Sequence, residues 1–335
     1  MLLERATEFE VTIARTFAGL ESLAPEWHEL WKNDPCATPF QSPTWLIPWA
    51  RHFTAGEFCC VCVRVEEQLV GFLPMFEWRN PDTSERELLL LGTGLSDYCD
   101  GLFLPGYANE SLAVASEHLS AVFDWDLLNF QDLRSESPLA LNFDRGPQSI
   151  VPILELPPSV EELNTAIPKA QLQNLAYYRR RAERLGLCEW QAADSESLGS
   201  MLEELFDLNS VRWRERGAVD NDDLRGFHRD AASRLLRINA LRLYRLRIAG
   251  ETAAVLYGFA SHGRTYYYLG GFNQKFASVS PGTLIIGHAI EQAVREGGTH
   301  FDFLRGAEHY KYLWGAKDTQ TFRVRACRQH LAGAF

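Results

Sequence analysis

No stretch of this sequence reaches the ~18 consecutive apolar residues of a membrane-spanning helix, so no span is expected. Basic residues are the minority charge, 33 Lys and Arg against 44 Asp and Glu, for a net charge of −11 at pH 7. That balance argues against a protein whose main task is to grip a nucleic-acid backbone, and no nucleic-acid partner is expected. It leaves room for one small phosphate site, because local donors override the mean field. Among the 7 cysteines only Cys59 and Cys62 stand at Cys-x-x-Cys spacing, with no second such pair, and the 9 histidines never form His-Glu-x-x-His. Neither a disulfide framework nor a metal site is therefore expected. Cys59, Cys60 and Cys62 share a β-like run with Val61 and Val63 and read as small buried hydrophobes. The opening Met1 to Arg5 takes on charge at once and lacks the apolar core of a signal peptide, so the expected setting is the reducing cytoplasm.

What is present is an ordinary globular composition, 46% hydrophobic and 23% charged over 335 residues, a length that suits about two domains. Trp-rich helical pieces broken by Pro35, Pro39 and Pro43 occupy Leu20 to Phe53. Strands are expected at Phe58–Val65, Leu69–Phe76, Glu87–Leu91 and Asp126–Leu133, with a helix over Asn109–Phe123. The proline-rich stretch Ser137–Pro158 reads as the crossing between domains 1–150 and 151–335. A basic helix, Val160–Leu185, interrupted by Pro168, opens the second half, followed by a strand at Cys188–Ala192 and helices at Glu196–Arg216 and Asp222–Asn239. A hairpin about Gly250-Glu251, a strand Arg264–Leu269, a helix Pro281–Glu296, a strand His300–Leu304, a short helix Ala307–Leu313 and a strand Thr321–Cys327 complete it. The second half thus repeats the rhythm of the first at a drifting offset, the pattern a duplication with loop insertions leaves. The expected class is α/β (α+β): two tandem domains, each a mixed twisted sheet flanked by helices.

The sharpest local signal is Ser280-Pro281-Gly282-Thr283. Ser280 suits an N-cap and Pro281 the first helical position, while Gly282 lets a ligand approach the backbone. No carboxylate occurs from Ser280 to Ile290, so a bare positive helix end seats a pyrophosphate there, or else simply caps a helix. The first-half counterpart begins Asn109-Glu110-Ser111, where Glu110 repels phosphate. Leu269-Gly270-Gly271 end the preceding strand, after Tyr268, and read as a close backbone approach or as a plain turn.

A second cluster surrounds Asp302, whose carboxylate inside an apolar strand needs a partner; Arg305 is the near one. Glu308, Lys311 and Tyr312 share a helical face, as an exposed salt bridge or as chemistry, while Tyr310 points elsewhere. Asp97, Tyr98 and Asp100 follow a first-half strand and read either as turn chemistry or as a hold on a cationic or hydroxylated substrate. Arg179, Arg180, Arg181 and Arg184 read as a solvated basic face, or one that reaches a nucleotide phosphate. Trp213 stands between Arg212 and Arg214 as a core or groove aromatic.

The order hairpin, glycine-ended strand, Gly-containing helix start, strand and Tyr-bearing helix resembles the GNAT acyltransferase superfamily. Nearly the whole chain is similar to its CelD/BcsL group, named for cellulose biosynthesis and built of two GNAT-like halves. Pro39-Phe40-Gln41-Ser42-Pro43-Thr44-Trp45, the Gly92–Asp100 stretch, Arg212-Trp213 and Phe301–Gly306 with Glu308, Tyr310 and Lys311 carry that likeness. The Ser280 loop departs from the usual GNAT phosphate loop, matching it in Gly282 and the helical setting.

The resemblance implies an N- or O-acyltransferase using acetyl-CoA or another acyl-CoA on a small-molecule or glycan-precursor acceptor, with no metal. It implies that Leu269, Gly270, Gly271, Ser280, Gly282 and Thr283 bind the cofactor. Tyr310, then Tyr312, is the implied acid, Glu308 or Asp302 the base, and Lys311 a polarising or orienting group. Asp97, Tyr98 and Asp100, with Trp213 and Tyr268, are implied on the acceptor side, across a cleft between halves. The related Fem-type aminoacyltransferases give an alternative in which aminoacyl-tRNA is the donor. A non-catalytic binding module in a polysaccharide pathway is a further alternative.

Overall fold

The computed structural model describes residues 8–53, 56–215 and 222–328, excepting the side chains of 210–215. Its strands are β1 (Phe9–Ala14), β2 (Cys60–Val65), β3 (Gln68–Leu73), β4 (Met75–Arg79), β5 (Arg86–Leu90), β6 (Leu102–Phe103) and β7 (Leu127–Arg134). They continue with β8 (Arg145–Glu155), β9 (Cys188–Ala192), β10 (Leu241–Ile248), β11 (Glu251–Ser261), β12 (Arg264–Phe272), β13 (His300–Asp302) and β14 (Lys317–Cys327). The chain divides into two compact units, the first ending at Ser149 but regaining the chain from Gln320, the second comprising Ile150–Thr319. The C-terminal boundary therefore differs from the expected 151–335, because β14 pairs antiparallel with β7, Thr321 opposite Arg134.

In the first unit, β1-β2-β3-β6 form an antiparallel sheet, and β4-β5-β7-β14 line up in a second order. The expected strand Leu69–Phe76 is split at Pro74, which has no N–H for a ladder, so β3 and β4 join different sheets. The Trp-rich pieces are helices Ala24–Asn33 and Pro43–Phe53 around a short turn at Pro39–Gln41. Cys59, Cys60 and Cys62 are buried as expected, and burial pushes the thiols of Cys59 and Cys62 up to about 12 and about 11.

In the second unit the strand order is β8-β13-β12-β11-β10-β9. The boundary between the units, Ser149/Ile150, falls inside the expected proline-rich crossing, which is built of a short helix, Pro138–Asn142, followed by β8. Pro152 is tolerated in β8 because its carbonyl still accepts from Phe303 N at 3.1 Å. Helix Pro281–Arg295 buries Leu284, Ile285, Ala289 and Ile290 in one core with Ala254 and Leu256 of β11. Each buried Leu or Ile side chain contributes roughly 1.5–3 kcal/mol. Tyr257 and Phe259, of opposite parity on β11, belong to the other face, where Tyr257 meets His228 of helix Asp222–Arg237. Each unit also contains a parallel strand pair, β5 with β7 and β12 with β13, joined through a helix.

Candidate active site

The site of the second unit is built on the way β12 leaves β13. Their parallel ladder runs from Arg264/His300 to Tyr266/Asp302 and stops, while β12 continues to Phe272. Beyond Tyr266, β12 goes on pairing with β11 as far as Phe272, past the last pair with β13. A bulge sits at this point: Tyr257 pairs with Leu269 and Gly258 with Tyr267, which leaves Tyr268 as the extra residue.

The chain then turns through Gln274–Val279 into helix Pro281–Arg295. Ser280 is its N-cap residue but does not cap it with its side chain. It is held left-handed (φ 48°, ψ 61°), and its hydroxyl meets Thr283 Oγ1 at 2.9 Å. The first turn carries no acid. Pro281 has no N–H, and the N–H groups of Gly282 and Thr283 find no acceptor within the helix. A Cβ placed on Gly282 would touch Phe272 Cδ1 alone, at 3.8 Å, so the protein's own packing does not demand glycine there. Gly270 and Gly271 are different. A Cβ would collide with the Tyr267 hydroxyl at Gly270 and would lie 2.7 Å from Leu208 Cβ at Gly271. Internal packing accounts for both.

Beyond β13 the backbone is gripped by two buried charges. Asp302 is fully buried; its Oδ2 pairs with Arg264 Nη1 at 3.2 Å, and its Oδ1 accepts from Leu304 N at 2.9 Å. Arg264 is a partner the sequence reading, which considered Arg305, did not find. Lys311 is only 2% exposed and donates to the carbonyls of Leu304, Arg305 and Gly306 at 3.0, 2.8 and 2.9 Å. Its ammonium also lies 2.9 Å from Glu308 Oε2. The expected Glu308–Lys311 pair exists, but it is not the exposed bridge anticipated. An ammonium has three donors, and these carbonyls occupy them. Leu304 itself has φ 58°, a costly conformation for a branched residue, held by these bonds at both its polar ends.

Glu308 is the N-cap residue of helix His309–Leu313 and is exposed. Tyr310 is 36% exposed, its ring edge-on to Phe303 at 6.4 Å. The Tyr312 hydroxyl donates to Asp318 Oδ1 at 2.8 Å, and that bond holds it above the ordinary tyrosine range. Tyr268 packs in an aromatic group with His228, Tyr257 and Phe259. Behind β12 lie two groups missed in the sequence, Asn209 and Tyr257. Both are buried, and among the described residues neither Asn209 Nδ2 nor the Tyr257 hydroxyl has a hydrogen-bond partner. A tyrosine in the otherwise apolar run of β11 is the one signal that could have drawn attention. Trp213 lies on helix Leu198–Glu215, and its side chain falls outside the described residues.

In the first unit, Tyr98 and Asp100, expected on the acceptor side, are buried, 3% and 7% exposed. Gln41 Nε2 donates to Tyr98 O at 2.9 Å, and Trp45 Nε1 donates to Ser96 Oγ at 3.0 Å. The Pro39–Trp45 and Gly92–Asp100 stretches are thus one structural knot. Asp100 Oδ1 accepts from Ser137 Oγ at 2.7 Å and Gly101 N at 2.9 Å, and burial pushes its carboxyl up to about 7. Asp97, on the same turn, is half-buried.

Residues 169–312 match the family model described as Acetyltransferase (GNAT) domain. No curated protein matches the sequence. The fold is similar to that of FemX, with a TM-score of 0.66 at 13% identity over 96% of this chain and 98% of that one. It is also similar to a C-terminal domain of a putative lysylphosphatidylglycerol synthetase from Agrobacterium fabrum, with a TM-score of 0.58 at 11% identity over 95% of each chain. A protein of unknown function from Bacteroides thetaiotaomicron VPI-5482 gives 0.58 at 13% identity, over 95% of this chain and 99% of the other. The stretch 169–312 is accordingly GNAT-type, and the mixed α/β class expected from the sequence is the one observed. Among the described residues, no helix is long and apolar enough to cross a membrane.

Proposed function

We propose that the protein is a cytoplasmic acyltransferase that moves an acyl group from acetyl-CoA or another acyl-CoA to an amine or hydroxyl of a small metabolite or glycan precursor. One observation carries this reading: β12 parts from β13 beside an acid-free helix start whose Gly282 is open. The stretch of β12 past its last pair with β13 runs toward this helix start and suits the amides of a pantetheine, and the N–H groups of Gly282 and Thr283 suit a pyrophosphate. The bound thioester would supply the activated acyl group. The chain's own part is to place the acceptor and to move two protons. Tyr310 is our choice for the acid and exposed Glu308 for the base. Asp302 and Lys311 act as positioning residues, since their polar atoms hold the Leu304–Gly306 backbone. Tyr268, Asn209 and Tyr257 are the acceptor-side candidates of the second unit, and Asp97 that of the first. The motif likeness to the CelD/BcsL group supports a sugar or polysaccharide precursor as acceptor.

A second reading, transfer from aminoacyl-tRNA, is favoured by the likeness to FemX over 96% of this chain. The net charge of −11 weighs against it. Native mass spectrometry of freshly purified protein, with and without added CoA, tests the first reading. A stoichiometric CoA adduct, together with CoA release from acetyl-CoA in the presence of amines or amino sugars, is expected. No adduct and no release, with aminoacyl-tRNA consumed instead, would replace it with the second.

A further inference from the structure

Within the second unit, helix Lys169–Glu183, β9, β10 and helix Pro281–Arg295 line a half-open pocket of about 210 Å³. None of the residues assigned above to donor binding or chemistry lines it. A water takes about 30 Å³ of the liquid, so the space admits a small organic molecule. Its floor is apolar, formed by buried Ala182, Leu246 and Leu284. On one side Trp190 stacks on His288, with centroids 4.4 Å apart and planes at 15°. Burial, reinforced by Arg179 and Arg295, pushes His288 down to about 4, so the imidazole adds no charge near neutral pH.

The charges on the walls come in equal numbers. Arg179, part of the basic run, gives Nη2 to Glu291 Oε1 at 2.8 Å, which ties the two helices together and cancels one pair. What is left is one charge of each sign on different helices. Glu183 makes no ion pair or hydrogen bond through its side chain among the described residues. Arg295 reaches Glu291 only at 3.6 Å and is 50% exposed. A bare anion would face Glu183, and a bare cation would face Arg295. A molecule carrying both charges offsets each.

We propose that this pocket binds an amphipathic zwitterion, a free α-amino acid with a branched apolar side chain. Its carboxylate lies on Arg295 and the Gln292 amide, its ammonium on Glu183, and its side chain on the Leu246–Leu284 floor.

Calorimetry on the full chain tests this with L-leucine, isovalerate, isopentylamine and inorganic phosphate at constant ionic strength. Saturable binding of L-leucine is expected, with the single-charge analogues and phosphate weaker by about tenfold or more, the equivalent of one lost charge-assisted hydrogen bond. Glu183→Gln and Arg295→Gln should each weaken leucine binding by a similar factor. Both side chains reach the surface, and an unchanged melting temperature confirms that each variant folds. No saturable heat with leucine, equal binding of isovalerate or phosphate, or full affinity in both folded variants would overturn the proposal.

Discussion

Asp302 and Lys311 hold the same residue from opposite ends: Asp302 Oδ1 accepts from Leu304 N at 2.9 Å, and Lys311 Nζ donates to Leu304 O at 3.0 Å. The helix His309–Leu313, with Glu308 and Tyr310, is aimed by this grip.

Lys311→Met should strand three carbonyls without their donor and destabilise the fold by roughly 3 kcal/mol or more, because each buried unpaired group costs about 1–3 kcal/mol. Glu308→Gln should cost about 1 kcal/mol, since the Lys311 ammonium keeps its three carbonyl acceptors, yet lower turnover about a hundredfold if it serves as the base. Urea unfolding and steady-state kinetics on both variants separate structural from chemical damage. Full turnover in Glu308→Gln removes it as the base.

The two tyrosines of this helix should part company. Tyr310→Phe removes the hydroxyl of a partly exposed tyrosine and should slow the chemical step by about a hundredfold. Tyr312→Phe removes only the bond to Asp318 and should leave the rate nearly unchanged. Single-turnover measurements decide it; the reverse order would move the acid to Tyr312.

Glycine substitutions distinguish ligand room from protein packing. Gly282→Ala meets only Phe272, so it should fold normally and weaken CoA binding, with Gly282→Asp weaker still. Gly271→Ala drives a Cβ to 2.7 Å from Leu208 Cβ and should cost about 1–3 kcal/mol of stability. Calorimetric titration of CoA and thermal melts of the three proteins are the checks. Unchanged CoA affinity in folded Gly282→Asp would remove this helix start from the donor site.

Asp100 sets a pH dependence. Its carboxyl is pushed up to about 7 by burial, while Ser137, Arg134 and the Gly101 amide pull downward and Asp34 pushes up. Between about pH 4 and 7 the folded protein retains a proton that the unfolded chain has released. The contribution of Asp100 to stability therefore falls as pH rises through that window and levels off above it. Asp100→Asn keeps an acceptor oxygen for Ser137 and should flatten the trend. Urea midpoints of both proteins at about pH 5 and pH 8 measure this, and an identical difference in the two would refute it.

Much of the architecture was legible in local patterning. Apolar spacing marked helix Pro281–Arg295, Gly250-Glu251 marked the hairpin β10–β11, and Pro168 broke the basic helix at the expected place. β1 was missed, although Phe9, Val11 and Ile13 alternate with polar residues in a short strand paired to β2. The exchange of closing strands was not legible. β8 follows β7 in sequence but pairs with β13, while β14 follows β13 but pairs with β7. A strand's own residues record that it will pair; they do not record with which edge.

The same division holds at the site. The sequence by itself determined an acid-free helix start, a carboxylate in an apolar strand and a cation three residues beyond Glu308, because these depend on residue type and helical spacing. Only the tertiary structure decided that Lys311 is buried among carbonyls, that Asp302 is answered by Arg264 across a parallel ladder, and that Tyr98 and Asp100 turn inward. Those outcomes depend on contacts between residues far apart in the chain, where burial rather than spacing sets the cost of leaving a charge unpaired.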